Sequence, residues 1–372
     1  MKKSYKISVI GVFIAFIAAF FALFLAMPDR DFSERENRYL TAAPKFSFKA
    51  LFDGGFTSGF ESYTTDQFPF RDAWTTIKAR CERLCGKEEN KGVFYGSDGY
   101  LLEAFHAPAD EEIVERVGYV NALAANVDAP VYFALIPGSV EIEAQHLPPN
   151  APTDSEQAVI ETAYAASDAV CIDLYSSLEA HRDDYIFYRT DHHWTSLGAY
   201  WGYTALCDAW GLSCRALSGF VPQTVSDSFY GTTYSSSGFS WVEPDSIDIY
   251  VPEDAGVSVV TYAASAAQAG ALYDMDALEH KDKYSMFLGG NTPRVDVSSG
   301  HDGERLLVIR DSFADSLLPF LLEDFSEITM LDMRYYKTSV AELAAQGGYD
   351  RILVLYSVNE FCEDSNLFMM SY

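Results

Sequence analysis

The sequence predicts an α/β fold, a parallel sheet flanked by helices, interrupted by an irregular β-leaning insertion and preceded by a membrane-crossing helix. Three observations predict it. From about Glu111 onward, apolar runs of strand length alternate with helical periodicity, the pattern of a parallel sheet covered on both faces. Residues 215–300 lose that alternation and are rich in Ser, Gly, Tyr and Val. Ile7 to Met27 is an uncharged, mostly apolar run long enough to cross a hydrocarbon core as a helix.

The apolar run is preceded by Lys2, Lys3 and Lys6 and followed by Asp29, Arg30 and Asp31. The positive-inside rule then keeps the N-terminus cytoplasmic and exports the rest. A cleaved signal peptide would have a shorter apolar region and a small-residue site, which is hard to place before Pro28, so a signal-anchor is expected. No Cys lies near the end of the run, which argues against a lipoprotein. The predicted organisation is a cytoplasmic tip and anchor over 1–30, a lead-in region over 31–108 packing on the main domain, and the α/β domain over 109–372 with its insertion at about 215–300.

In the lead-in region, Ser33 to Arg38 is a charged segment, and Asp66 to Arg71 is an aromatic turn opening a helix from about Asp72 to Cys85. Phe94 to Leu101 reads as a hairpin turning at Asp98-Gly99. Helices are predicted over Glu111 to Asn126, Ser155 to Ser167 and 195–210, the last opened by Thr195 or Ser196 as N-cap. Strands are predicted over Pro130 to Ile136, Ala169 to Leu174, Leu306 to Ile309, Ile328 to Met333 and Ile352 to Leu355.

The 372 residues suit one large domain or two smaller ones, and a 49% hydrophobic content supplies a core. A formal charge of −28 excludes nucleic acid as a partner and argues against a direct grip on any polyanion. Outside the membrane, disulfides are permitted among Cys81, Cys85, Cys171, Cys207, Cys214 and Cys362. Cys207 and Cys214 could close a small loop; the alternative is six buried free thiols. No CxxC pair is present, and neither a metal nor another cofactor is expected.

Three segments could carry chemistry. In Tyr188 to Thr195, Asp191 precedes His193 by two residues and can orient its imidazole. His192, His193 and Asp191 could instead ligate a metal, but a further ligand is not identifiable in the sequence. In Leu306 to Ala314 an apolar strand ends at Asp311-Ser312 and a helix begins. Ser312 would then project from the C-terminal edge of a parallel sheet, at a helix N-terminus able to receive an oxyanion. A Ser or Asp there is also an ordinary N-cap. In Leu353 to Glu360, Asn359 follows a buried strand and could donate its amide to an oxyanion. The strand at 328–333 ends at Arg334-Tyr335-Tyr336.

Asp191-His192-His193-Trp194 resembles the motif that names the DHHW protein family, which is similar to the alginate O-acetyltransferase proteins and is SGNH-hydrolase-like. Ser33 to Arg38, Asp66 to Arg71, Phe94 to Leu101, Phe229-Tyr230-Gly231, Phe287 to Asn291 and Arg310-Asp311-Ser312-Phe313 also look like family signatures. The resemblance implies an SGNH-hydrolase-like fold in which Ser312 is the nucleophile, His193 the general base and Asp191 its orienting carboxylate. Asp-x-His precedes Ser, a circularly permuted motif order. Asn359 resembles the oxyanion Asn of the third SGNH block. Arg310 stands where Gly-Asp-Ser has Gly, and Arg334 stands where a Gly would end the second strand, so the Ser312 N–H and Arg334 are the candidates for a second donor.

The implied activity is O-acetyl transfer to a cell-envelope or exported polysaccharide, with a membrane-bound O-acyltransferase as acyl donor. The same triad would serve an acetylesterase, and a non-catalytic glycan-binding scaffold is the reading from another class. His192, Trp194 and Tyr230 are further substrate-binding candidates, because aromatic rings stack on sugars; Tyr and Trp are equally ordinary core residues.

Overall fold

In the computed structural model, residues 3–252, 257–263 and 266–371 are described. The chain divides into two units: Met1–Lys87 with Gly238–Ser240, and Glu88–Ser237 with Trp241–Tyr372.

The first unit begins with helix α1 (Lys3–Ala26), whose segment Tyr5–Ala26 has a mean hydropathy of 2.9 and no buried residues. Length and composition make it a candidate membrane span or signal sequence. Helices α2 (Gly55–Asp66) and α3 (Arg71–Leu84) follow. The two signature segments of this unit bond to each other. The Asp66 carboxylate accepts two bonds from the Arg38 guanidinium at 3.0 and 2.6 Å, and two from Thr41 at 2.9 and 2.8 Å. Arg38 above all, against the opposing effect of burial, holds Asp66 well below the usual carboxylate range.

The second unit is built on an eight-stranded sheet. Its strands are β1 (Val131–Ile136), β2 (Val170–Ile172), β5 (Ser258–Ala263), β6 (Ala266–Gly270), β7 (Arg294–Ser298), β8 (Glu304–Arg310), β9 (Phe325–Leu331) and β10 (Arg351–Ser357), while β3 (Phe220–Phe229) and β4 (Asp245–Pro252) form a separate antiparallel ribbon. The spatial order is β6-β5-β7-β9-β8-β10-β1-β2. From β9 to β2 every pairing is parallel; β7, β5 and β6 extend the sheet antiparallel. The sheet is therefore mixed, and the expected β-leaning insertion holds strands β3 to β7, with regular pairing in β5, β6 and β7 where an irregular stretch was expected. Its strands were hidden because β7 alternates, burying Val295 and Val297 while Arg294, Asp296 and Ser298 stay partly open, instead of running apolar throughout.

Helices α4 (Asp110–Asn126), α5 (Glu156–Ala165), α6 (Ser196–Trp210), α7 (Phe313–Leu321), α8 (Val340–Gly347) and α9 (Val358–Glu363) cover the sheet. Alternation within single strands assigns the two faces. Leu306, Val308, Leu353 and Leu355 pack with α6 and α7, while Leu307, Ile309, Ile352 and Val354 pack with α4, α5 and α8. Thr195 is the cap of α6, accepting from Gly198 N–H, and Ser155 caps α5. The 93–103 hairpin turns at Asp98 and Gly99, both with positive φ, as an Asp-Gly turn requires. All six cysteines are free thiols.

Candidate active site

Two loops of the second unit meet. The first runs from Tyr188 to His193 and is closed at its neck by a Phe187–Trp194 bridge. Asp245, on β4, holds it from inside: its carboxylate accepts from Arg189 N–H (3.1 Å), Thr190 N–H (2.8 Å), Thr190 Oγ1 (2.6 Å) and Tyr185 OH (2.5 Å). The second loop joins β8 to α7. Here Asp311 supplies the cap: Oδ1 accepts from Phe313 N–H at 3.0 Å, and Oδ2 accepts from Ser357 N–H at 2.7 Å, tying the ends of β8 and β10 together. Ser312 makes no capping bond, so its hydroxyl is released from the commonest duty of a Ser at this position.

That hydroxyl lies 2.8 Å from His193 Nε2, and His193 Nδ1 lies 2.6 Å from Asp191 Oδ1. Asp191 is buried and also accepts from His193 N–H (3.0 Å), Thr232 N–H (2.8 Å) and Thr232 Oγ1 (3.1 Å). Burial pushes its carboxyl up, but the two adjacent imidazoles and these bonds outweigh burial and hold it well below the usual range. An ionised Asp191 can only accept, so Nδ1 carries the proton and Nε2 is left to accept from Ser312. Tyr284 stacks on the His193 ring with centroids 3.7 Å apart and planes 10° apart. Its hydroxyl lies 3.1 Å from both the Ser312 carbonyl and Ser316 Oγ.

Ser312 opens onto a cavity of about 320 Å³, also lined by His192, Thr232, Asp311, Phe313 and Asn359. Asn359 is exposed there, and its amide bonds to no described protein group. His192 Nδ1 lies 2.6 Å from Thr232 Oγ1; desolvation and the neighbouring His193 lower its pKa. Three sequence candidates lie elsewhere. Trp194 is fully buried, donating Nε1–H to the Phe313 carbonyl and Ser316 Oγ, both at 3.0 Å, so it is core and not a sugar platform. Tyr230 is outside the cavity lining, its ring against Tyr234 and its hydroxyl on the Val242 carbonyl. Arg334 is also outside the lining, held by Asp332 at 2.7 Å and Glu360 at 3.3 Å. Arg310 is fully buried and ion-paired with Asp315 at 3.0 Å. Its guanidinium does not line the cavity.

Asp191, His192 and His193 offer three ligand atoms within 4.8 Å of one another. Both ring nitrogens of His193 already have partners, Asp191 and Ser312, and His192 Nδ1 has Thr232. Sequence reading missed Thr232, Tyr284, Asp245 and Gly231. The signal for two of them was present: Phe229-Tyr230-Gly231 is a signature segment, but its useful members are Gly231 and the following Thr232. A Cβ on Gly231 would lie 2.5 Å from Asp191 Cγ and closer still to its Cβ and Oδ2. Tyr284 carries no comparable sequence cue.

The family model described as DHHW protein matches residues 87–331. The chain is 27% identical over 198 residues to the probable alginate O-acetylase AlgJ of Pseudomonas aeruginosa, covering 50% of this chain and 49% of that protein. It is 26% identical over 160 residues to the protein of the same name from Pseudomonas syringae, covering 40% and 41%. The chain thus spans about half or less of the length of these curated relatives. Among solved structures, it is similar to a DHHW family protein from Eubacterium siraeum, with a TM-score of 0.65, 22% identity, and coverage of 76% of this chain and 95% of that one. It is also similar to Bacillus cereus PatB1 solved with a sulfonyl adduct, with a TM-score of 0.60, 20% identity, and coverage of 74% and 98%. At these identities the structural likeness speaks for the fold. The family match, covering well over half of the sequence, says more: this chain belongs to the DHHW protein family.

Proposed function

We propose that the chain is a membrane-anchored serine acyl-transfer enzyme of SGNH-like type, with Ser312 as nucleophile, His193 as general base and Asp191 as its orienting carboxylate. The observation that carries this reading is the unbroken line of hydrogen bonds from Asp191 through His193 to Ser312, ending in an open cavity. His193 Nε2 takes the Ser312 proton as Oγ attacks an acetyl ester. The tetrahedral oxyanion is received by the Ser312 N–H, with the Asn359 amide as second donor. His193 returns the proton to the leaving oxygen, and acetyl-Ser312 remains. A sugar hydroxyl then gives its proton to His193 and attacks the acyl carbon; as the Oγ–acyl bond breaks, His193 returns the proton to Ser312 Oγ and the acetylated sugar leaves. Water in place of the sugar makes the same site an esterase.

The name alginate O-acetylase borne by the curated relatives supports O-acetylation of a polysaccharide as the activity. The apolar Tyr5–Ala26 helix supports an anchored protein whose second unit faces outward, with an exported or cell-wall glycan as acceptor and a membrane-bound O-acyltransferase as donor. The test is turnover of p-nitrophenyl acetate by the full chain in detergent, with and without Ser312→Ala and chelator. Loss of more than about a thousandfold in the variant is expected. Equal turnover by Ser312→Ala refutes the serine reading. Inactivation by chelator would favour metal chemistry at Asp191, His192 and His193. No turnover together with tight glycan binding would favour a scaffold.

A further inference from the structure

The cavity in front of Ser312 has an acidic lining. Glu103, Glu156, Asp311 and Glu360 all contribute to its wall, and no Lys or Arg does among the described residues. Asp191 adds a buried carboxylate that Ser312 faces through His193. Arg334, ion-paired with the wall residue Glu360, is also held by Asp332. A carboxylate or phosphate entering this space would meet no cationic side chain, and an anion taken out of water without a counter-ion is opposed strongly. The chain as a whole, at −28, repels polyanions at longer range as well.

From this composition, and resting on the serine acyl-transfer reading above, we propose that the sugar presented to Ser312 carries no anionic group, so that the acceptor is a neutral or amino-bearing glycan and not a polyuronate. The wall suits hydroxyl-rich rings. Asn359 offers two N–H donors and a carbonyl, and Ser139, Ser236 and Ser357 add hydroxyls. Burial raises all four wall carboxyls, Glu156 to about 8 and Glu360 to about 7. Glu156 and Glu360, raised this far, can give a hydrogen bond to a sugar hydroxyl as well as accept one. The volume of about 320 Å³ admits a sugar ring rather than a folded chain. The curated relatives are named for alginate, so the inference gives this chain a different acceptor from the one in their name.

The experiment compares linear mannose and mannuronate hexamers, which differ by the C6 carboxylate, as protectants of the full chain in detergent against phenylmethanesulfonyl fluoride. Sulfonylation of Ser312 is followed by intact mass, with Ser312→Ala as the blank. The mannose hexamer should halve the labelling rate at a concentration at least tenfold below that needed for mannuronate. Glu103→Gln combined with Glu360→Gln should narrow that gap to threefold or less. Equal or better protection by mannuronate overturns the inference, as does protection by neither hexamer. A wild-type chain that takes no sulfonyl group at Ser312 instead overturns the serine reading on which the inference rests.

Discussion

Gly231→Ala should cripple the proposed triad without replacing any of its three residues. The added Cβ would sit 2.5 Å from Asp191 Cγ and closer to Cβ and Oδ2, whereas ordinary contact begins near 3.4 Å. The carboxylate must therefore retreat by about 1 Å, or the 231–232 backbone must move and carry away the two Thr232 bonds to Oδ2. Either route disturbs the group that holds His193 in its Nδ1–H tautomer. Displacement of about 1 Å in a positioning group can cost about a hundredfold, and losing the orienting carboxylate of a serine triad altogether costs about ten-thousandfold. The expected fall in kcat for p-nitrophenyl acetate lies between these, about 3–5 kcal/mol of transition-state stabilisation. Asp191→Asn sets the lower bound of activity in the same assay. Labelling of Ser312 by a sulfonyl fluoride should fall in parallel, and circular dichroism should show a folded chain. A folded Gly231→Ala variant with kcat within twofold of wild type would refute the placement of Gly231 as the wall behind Asp191.

Three further outcomes follow from the same contacts. Tyr284→Phe keeps the ring on His193 and should lower kcat about threefold or less, whereas Tyr284→Leu loses the stacked face and should lower it about tenfold. Trp194→Phe removes an N–H bonded to Phe313 and Ser316; loss of about 1–3 kcal/mol in urea unfolding is expected, with turnover per folded molecule nearly retained. Glu156 is buried and its carboxyl is raised from 4.5 to about 8, chiefly by burial. The folded state then keeps a proton that the unfolded chain has lost, so this stabilisation is full below pH 4.5 and declines as pH rises towards 8, by at most about 5 kcal/mol. Glu156→Gln should flatten the decline of the thermal midpoint across that window; an unchanged slope would remove Glu156 as its source.

The parallel half of the sheet was legible because burial on both faces demands apolar runs. Leu306 to Ile309 and Ile352 to Leu355 read as strands for the same reason that they pack into two opposite cores. The antiparallel half was not legible, since an antiparallel strand such as Arg294–Ser298 needs only every second residue apolar and so resembles any mixed segment. Local chemistry also read well where one residue suffices. Asp98-Gly99 announces its turn, and Thr195 caps the helix that follows it.

The site divides along a similar line. Asp191 and His193 are two residues apart, and a carboxylate at that spacing can reach the imidazole within one loop, so their pairing is local information. Ser312 is 119 residues away from His193, and only resemblance brought the two together. Arg310 in place of Gly weakened that resemblance, yet its buried ion pair with Asp315 keeps the guanidinium out of the cavity and leaves the Asp311-Ser312 turn intact. Trp194 was misread because an aromatic residue in a signature segment looks the same whether it faces a ligand or the core. The roles of Gly231, Thr232 and Asp245 were hidden for the converse reason. Each acts on Asp191 or its loop across a fold that no short window contains. Acceptor selectivity belongs to this second class too: Glu103, Asp311 and Glu360 share one cavity only after β8 and β10 have come side by side. Chemistry carried within one loop can therefore be kept by a motif, while acceptor choice is free to change wherever the surrounding wall changes.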